Sequence, residues 1–296
     1  MHITFRQLRL FEALAATGSV SKAAAALRVT QPTASAQLKE ITEAVGLPLY
    51  EVIGRRVHLT GTGQELAKTA RSIALEMEAF RQYADGVKGL SRGQLRIAAV
   101  STAKYFVPRL VGSFCKAHPG VDVSLQVLNR DGVIARLREN LDDIYIMSQP
   151  PESMELADKV FKDNPLVLIG AKSEFRGKRP KRQLADLKSQ RFIMRERGSG
   201  TRMAVDHHFR KHRFRPDIRM ELGSNEAIKE AVAGGLGIGV VSIHALQHDT
   251  SMNDLAMIDV DGFPIMSRWH VVHLKAKKLS PIADAFKASL FAAKPS

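Results

Sequence analysis

VTQPTASAQLKEI, residues 29–41, places a proline where a helix would begin and follows it with short side chains. Proline has no amide hydrogen to donate, so it is tolerated in a first helical turn, where that donor lacks a partner anyway. Pro32 therefore marks a helix start, with Thr30 or Gln31 available as cap. Ala34, Leu38, Ile41 and Val45 then recur at the helical period as one narrow apolar stripe. Pro32, Thr33, Ala36, Lys39 and Glu40 face away from that stripe, with Ser35 on its flank. Small polar side chains on an outward face let a helix backbone approach another surface closely, and the major groove of DNA is one such surface.

The flanks extend this reading. SVSKAAAALRV (19–29) offers Ser21 as a cap for an alanine-rich helix, and a tight turn separates it from the helix at 31–42. That is helix-turn-helix spacing, with the second helix as the recognition element. FRQLRLFEALAAT (5–17) supplies Phe5, Leu8, Phe11 or Leu10, and Leu14 as a third wall of a small core. In LYEVIGRRVHLTGTG (49–63), two strand-like runs flank Gly54, with Arg55 and Arg56 at the tip. A hairpin tipped by arginines is a wing that reaches phosphate or a minor groove.

TGQELAKTARSIALEMEAFRQYADGVKG (62–89) contains no proline. Leu66, Ala70, Ile73, Met77, Phe80, Ala84 and Val87 alternate steps of four and three, a heptad seam that calls for a partner helix and hence a dimer. Two recognition helices related by a two-fold axis would read a roughly palindromic site.

The 296 residues suffice for two or three compact units, and 45% hydrophobic with 25% charged residues is ordinary globular composition. No apolar run is long enough to span a bilayer, and MHITFRQLRLF lacks the apolar core of a signal peptide, so the expected location is cytoplasmic with no membrane contact. The lone Cys115 permits no intramolecular disulfide. The net charge is +14, yet residues 1–92 hold 12 lysines and arginines against 8 acidic residues, so +10 lies beyond them. Much of it sits in KSEFRGKRPKR (172–182) and HHFRKHRFRPDIR (207–219), solvated faces that also favour an anionic small ligand.

Beyond Ser91 the pattern changes. QLRIAAV, VDVSLQV, DDIYIM, NPLVLIGA, IRMELG, GIGVVS and RWHVVHL are short apolar or alternating runs separated by helical segments, an α/β arrangement. Ligands of open α/β sheets sit beyond the carboxyl ends of strands, against helix N-termini. Ser101 and Thr102 follow a strand and open a helix; Gly198, Ser199, Gly200, Thr201 and Arg202 open another; Ser224 and Asn225 cap a third; Ser148 and Gln149 end a strand. Lys104 and Glu196 adjoin these junctions. Any one junction reads more readily as plain capping, but four at corresponding strand ends read as a ligand site, with Arg202 as its anion-binding cation.

The winged helix-turn-helix with TQPTASAQLKEITEAVGLPLYEVIGRRVHLTGTG, the linker helix and the α/β unit together resemble the LysR-type transcriptional regulators over the whole chain. VSTAKYFVPRL, DNPLVLI, RERGSGTR, MELGSNEAIKEAV and RWHVVHLKAKKLSP resemble the CbbR-like branch, which controls carbon-fixation or inorganic-carbon genes. The resemblance implies a winged helix-turn-helix at 1–61, a coiled-coil linker helix at 62–90, and an effector domain at 91–296. That domain would resemble periplasmic binding proteins, with subdomain I at 91–164 and 268–296, subdomain II at 165–267, and crossings near Asn164-Pro165 and Ser267-Arg268. It implies a homodimer assembling to a homotetramer on double-stranded promoter DNA, with RNA polymerase as a further partner. By motif position Gln31, Pro32, Thr33, Ser35 and Ala36 would meet DNA, although Ala36 stands where many members carry arginine. Effectors of the branch are phosphorylated or carboxylated metabolites such as ribulose bisphosphate, phosphoglycolate, phosphoenolpyruvate or NADPH, and no tightly bound cofactor is expected.

Enzymatic readings find little support. GGLGIG (234–239) lies between a helix and a strand, without the strand-then-helix context of a dinucleotide fingerprint. His208 and His212 have metal-pair spacing, yet Arg210, Lys211 and Arg213 surround them and no carboxylate cluster accompanies them, so no metal is expected. No serine or cysteine nucleophile arrangement is identifiable.

Overall fold

The computed structural model describes residues 2–54, 56–87, 93–175, 181–246 and 254–292. The chain divides into two compact units at Ala84/Asp85. The first contains α1 (Phe5–Thr17), α2 (Val20–Ala26), α3 (Gln31–Val45), the hairpin β1 (Tyr50–Ile53) and β2 (Arg56–Leu59), and α4 (Gly61–Val87). Thr4 caps α1 reciprocally with Gln7, and Thr30 caps α3 by accepting from the Thr33 amide. The cap of α2 is Ser19, two residues before the expected Ser21. Ser21 instead donates its hydroxyl to Gln31 Oε1 at 3.0 Å, tying α2 to the start of α3.

The core of this unit joins Leu10, Phe11 and Leu14 of α1, Ala23 and Ala24 of α2, Ala34, Leu38 and Ile41 of α3, and Leu49. Phe5, expected inside, lies largely exposed at the start of α1. Alanine methyls on α2 and α3 permit the close helix approach that the short side chains anticipated. Along α4, Leu66 packs on this core and Ala70 is buried. Ile73, Met77 and Phe80 then expose 38, 50 and 65% of their surface, and Ala84 is half-buried. Arg55 and the side chain of Val87 lie outside the described residues.

The second unit is built on β3 (Gly93–Val100), β4 (Val121–Leu128), β5 (Ile144–Met147), β6 (Leu156–Ala171), β7 (Arg191–Arg195), β8 (Asp217–Leu222), β9 (Ile238–Ser242), β10 (Leu255–Met257) and β11 (Ile265–Leu274). Its helices are α5 (Val107–Ala117), α6 (Arg130–Arg138), α7 (Gly200–Lys211), α8 (Asn225–Ala233) and α9 (Pro281–Ala292). The strands run in the order β4-β3-β5-β11-β6-β9-β7-β8, with β10 beside β6. β3 pairs in parallel with β4 and β5, and β7 with β8 and β9, whereas β6 and β11 run antiparallel to each other and stitch the two halves together.

Two lobes result. One core gathers β3, β5, Trp269, Val271 and the inner faces of α5, α6 and α9. The other lobe carries a cluster on each face of its sheet, one under α7 and one under α8. The long strands pass between lobes where Ser267 pairs with Asn164 and Met266 with Pro165. β6 begins at Leu156, eight residues before the apolar NPLVLIGA run; its first half is exposed or half-buried and so lacks a continuous apolar signal. β7 and β10 carried no expectation.

Candidate functional site

The outward face of α3 is available for contact. Gln31, Pro32, Thr33, Ser35, Ala36 and Lys39 are all exposed, while Ala34, Leu38 and Ile41 are fully buried beneath them. Thr33 Oγ1 lies 2.8 Å from Thr30 Oγ1, Lys39 is 3.7 Å from Glu43, and Gln7 Nε2 donates to Glu40 at 2.8 Å. Arg56 opens β2 across from Ile53, with Gly54 supplying the left-handed backbone (φ +64°) that the tight hairpin needs.

In the second unit the strand ends and helix starts converge at the junction of the lobes. Thr102 accepts from Trp269 Nε1 at 3.4 Å, and Ser101 Oγ accepts from Arg195 at 3.2 Å. Arg195, at the end of β7, also reaches Asn225 Oδ1 at 3.4 Å and the Gly223 carbonyl at 3.3 Å, and it forks onto the Glu196 carboxylate at 2.8 and 3.0 Å. Ser148 lies against Gly200: a Cβ built there would stand 2.5 Å from Ser148 Oγ and 3.7 Å from Arg130 Cδ. Only glycine lets the start of α7 approach this closely. The Asp131 amide donates to the Gly198 carbonyl at 3.3 Å, joining the N-termini of α6 and α7.

Arg202, expected to be the anion-binding cation, is already matched by carboxylates. Its guanidinium is buried against its own lobe, binding Asp206 at 2.9 Å and Glu221 at 2.9 Å and donating to the Arg195 carbonyl at 2.8 Å. Lys104 is likewise engaged, 2.7 Å from Glu226. Sequence reasoning passed over Arg130, the first residue of α6, which follows the cap Asn129. Its side chain is 11% exposed, its Nε donates to the Gln149 carbonyl at 2.9 Å, and its nearest carboxylate, Asp131, stands 3.9 Å away. Burial holds the guanidinium below its ordinary range, with Asp131 a weaker opposing influence. Gln149 presents that carbonyl from a left-handed conformation (φ +55°), a strained backbone fixed beside the cation.

Arg130 and Gln149 also border an open groove of about 1060 Å³, floored by Leu156, Asp158, Ile265 and His270 and walled by Met203 and His207 of α7. Access to Arg130 therefore lies on the α6/α7 side of the lobes. On the α8 side, Tyr105 packs into the second lobe's core.

The discarded motifs have structural roles. A Cβ at Gly237 would meet the Arg191 carbonyl and one at Gly239 would meet Ile228, so the glycine run serves packing. Among the described residues no group of three or more metal-ligating side chains assembles. His208 is buried against Phe263 and His212, and burial, then the neighbouring His212 and Lys211, push it down to about 4. No described helix is long and apolar enough to cross a membrane.

A DNA-reading fold followed by a two-lobed ligand-binding fold defines a ligand-responsive regulator. Residues 5–64 match the bacterial regulatory helix-turn-helix protein family of LysR type, and residues 88–294 match the LysR substrate binding domain. The chain belongs to the LysR family of transcriptional regulators. It is 43% identical over 289 residues to the HTH-type transcriptional activator CmpR of Synechocystis, covering 98% of this chain and 95% of that relative. It is 42% identical to the RuBisCO operon transcriptional regulator of Acidithiobacillus ferrooxidans, covering 99% and 94%. Among solved structures, the regulatory domain of Synechocystis CcmR in complex with 2-PG is 45% identical, with a TM-score of 0.66, covering 68% of this chain and 97% of that domain.

Proposed function

We propose that this regulator binds a roughly palindromic promoter site as a dimer, assembling further to a tetramer, and adjusts transcription of carbon-fixation or inorganic-carbon genes to a small phosphorylated anion. Its relatives supply the gene class. The anion reading rests on Arg130, a nearly buried cation whose ion pair with Asp131 is long, at 3.9 Å, set where two helix N-termini, Ser148 and Gly200 meet. Helix N-termini and a guanidinium together supply the donors and positive charge that a phosphoryl group requires. A 2-phosphoglycolate-like ligand fits that chemistry.

Residues 1–61 form the DNA-reading unit, 62–90 the linker helix, and 91–296 the sensor. Gln31, Thr33, Ser35 and Lys39 read or position DNA, with Arg55 and Arg56 on the wing. Within the sensor, Ser101, Thr102, Ser148, Gln149, Gly198 to Thr201 and Asn225 surround the ligand, while Lys104, Glu196 and Arg202 support the cleft. The exposed Ile73, Met77 and Phe80 continue the seam begun at Leu66 and Ala70, and they are covered by the partner's α4. Such a protein works in the cytoplasm alongside RNA polymerase and carries out no catalysis.

Promoter footprinting with and without 2-phosphoglycolate tests this reading. The expected result is a short two-fold-symmetric footprint whose extent changes with the metabolite. Substituting Thr33 or Ser35 shifts site preference by about 1–3 kcal/mol per lost base contact. Uniform coverage of DNA, or a footprint indifferent to every phosphorylated metabolite tried, overturns it.

A further inference from the structure

We infer that Asp131 sets the concentration at which the sensor responds to its effector, as a resident carboxylate that competes with the bound anion for Arg130. This rests on the effector reading above. Asp131 follows Arg130 directly, in the first turn of α6. Among the described residues it is the one carboxylate within 4 Å of Arg130, with Oδ1 3.9 Å from Nη1. That separation is too long for a hydrogen bond, yet short enough for the two charges to act on each other.

The other lobe fixes where this charge sits. The Asp131 amide donates to the Gly198 carbonyl at 3.3 Å, and the carboxylate lies over Gly198, where an added Cβ would collide with Oδ2 and stand 2.9 Å from Cγ. The negative charge is therefore seated where the N-termini of α6 and α7 meet, a place that favours an anion in its own right. A ligand oxygen accepting from Arg130 Nη1 lies within about 7 Å of that carboxylate, whatever the ligand's orientation. The Asp131 side chain is 67% exposed, so solvent screens it and a water-like dielectric applies. At about 7 Å in such a medium, each unit of ligand charge costs about threefold in affinity. A phosphoryl dianion thus binds roughly three- to tenfold more weakly than Arg130 alone would allow. The penalty is the same for every phosphoryl group at this position. Inorganic phosphate, held through that group alone, is driven toward negligible occupancy. An effector with further contacts along the groove, which Arg210 and Arg268 also line, keeps enough affinity to be sensed.

The test is titration calorimetry of the full chain with 2-phosphoglycolate, and with inorganic phosphate by displacement of 2-phosphoglycolate. Asp131→Asn preserves size and removes the charge, and it should tighten both probes by about three- to tenfold while their ratio stays within about twofold of wild type. The gain should fall below about twofold at 1 M salt, where the screening length is about 3 Å, a dependence that a purely structural role would not show. Asp131→Glu restores the charge and should return both affinities to within about twofold of wild type. An unchanged or weaker affinity in Asp131→Asn, a gain confined to one probe, a gain that persists at high salt, or one that Asp131→Glu shares overturns the inference while leaving the effector reading intact. Absence of heat with 2-phosphoglycolate in both the wild-type chain and Asp131→Asn removes the effector reading and this inference together. Thermal melting within a few degrees of wild type confirms that the affinities compare folded proteins.

Discussion

Replacing Arg130 by methionine should cost the sensor about a hundredfold in ligand affinity. The Nε of Arg130 is committed to the Gln149 carbonyl, and Nη1 stands 3.9 Å from Asp131, beyond hydrogen-bond length, so both terminal nitrogens can donate to a ligand. Two charged hydrogen bonds removed together correspond to about 3 kcal/mol, or roughly two decades in Kd. The same change deletes one internal hydrogen bond, worth about 1 kcal/mol, and relieves a partly desolvated charge. The melting temperature should therefore move by no more than about 4 °C in a unit of this size. Arg130→Lys restores charge without the planar fork and should recover about half of the lost free energy. Titration of the full chain with 2-phosphoglycolate reads these values. An Arg130→Met affinity within about threefold of wild type, a difference below 1 kcal/mol, would refute the placement of the anion at this residue.

Arg202→Ala strands Asp206 and Glu221 and removes a donor from the Arg195 carbonyl, so its expected effect is a loss of about 2–4 kcal/mol of stability, read by chemical denaturation; a fully stable variant that only loses ligand response would contradict this. Charged residues at Ile73 and Met77 together should shift the assembly to smaller species in sedimentation without loss of helicity, since both side chains are already exposed on α4. The folded-state pKa of His208, depressed to about 4, means that the unfolded chain takes up a proton between about pH 6.5 and pH 4 that the folded chain refuses. Stability should therefore fall as pH drops through that window. His208→Phe, which also removes the unpartnered Nε2, should flatten that dependence in denaturation measured across pH.

The DNA-reading unit was legible in the sequence because its cues are local: a proline at a helix start, a four-residue apolar repeat, and a turn flanked by arginines. Even there, one hydroxyl was mistaken for another, since Ser19 and Ser21 are both plausible caps and only tertiary contact sends Ser21 to Gln31. In the sensor, the helix starts that meet at the lobe junction were visible as capping residues at strand ends. The pairing state of the candidate cations was not. Arg202 stands within a glycine-rich helix start and looked available, but its countercharges come from one turn ahead on α7 and from β8, whose side chains no local pattern ties to it. Arg130, in NRDGVIARLREN, was not singled out in the sequence. Its burial arises from Gln149 and Gly200, 19 and 70 positions away, and no periodicity reports such a distance.

The route of β6 and β11 through both lobes bears on how the polypeptide comes into being. The first lobe's sheet places β5 against β11, so strands made early, from Gly93 to Met147, stay incomplete until Ile265–Leu274 has been synthesised. α9, which covers β3, arrives later still. The DNA-reading unit needs none of these residues for its own core and can fold while the rest is still in the ribosome. During translation there is thus an interval in which DNA-reading units exist without any sensor. The same asymmetry means that a chain broken before β11 leaves neither lobe with its shared strand pair, so damage there produces a DNA-reading fragment deprived of its control.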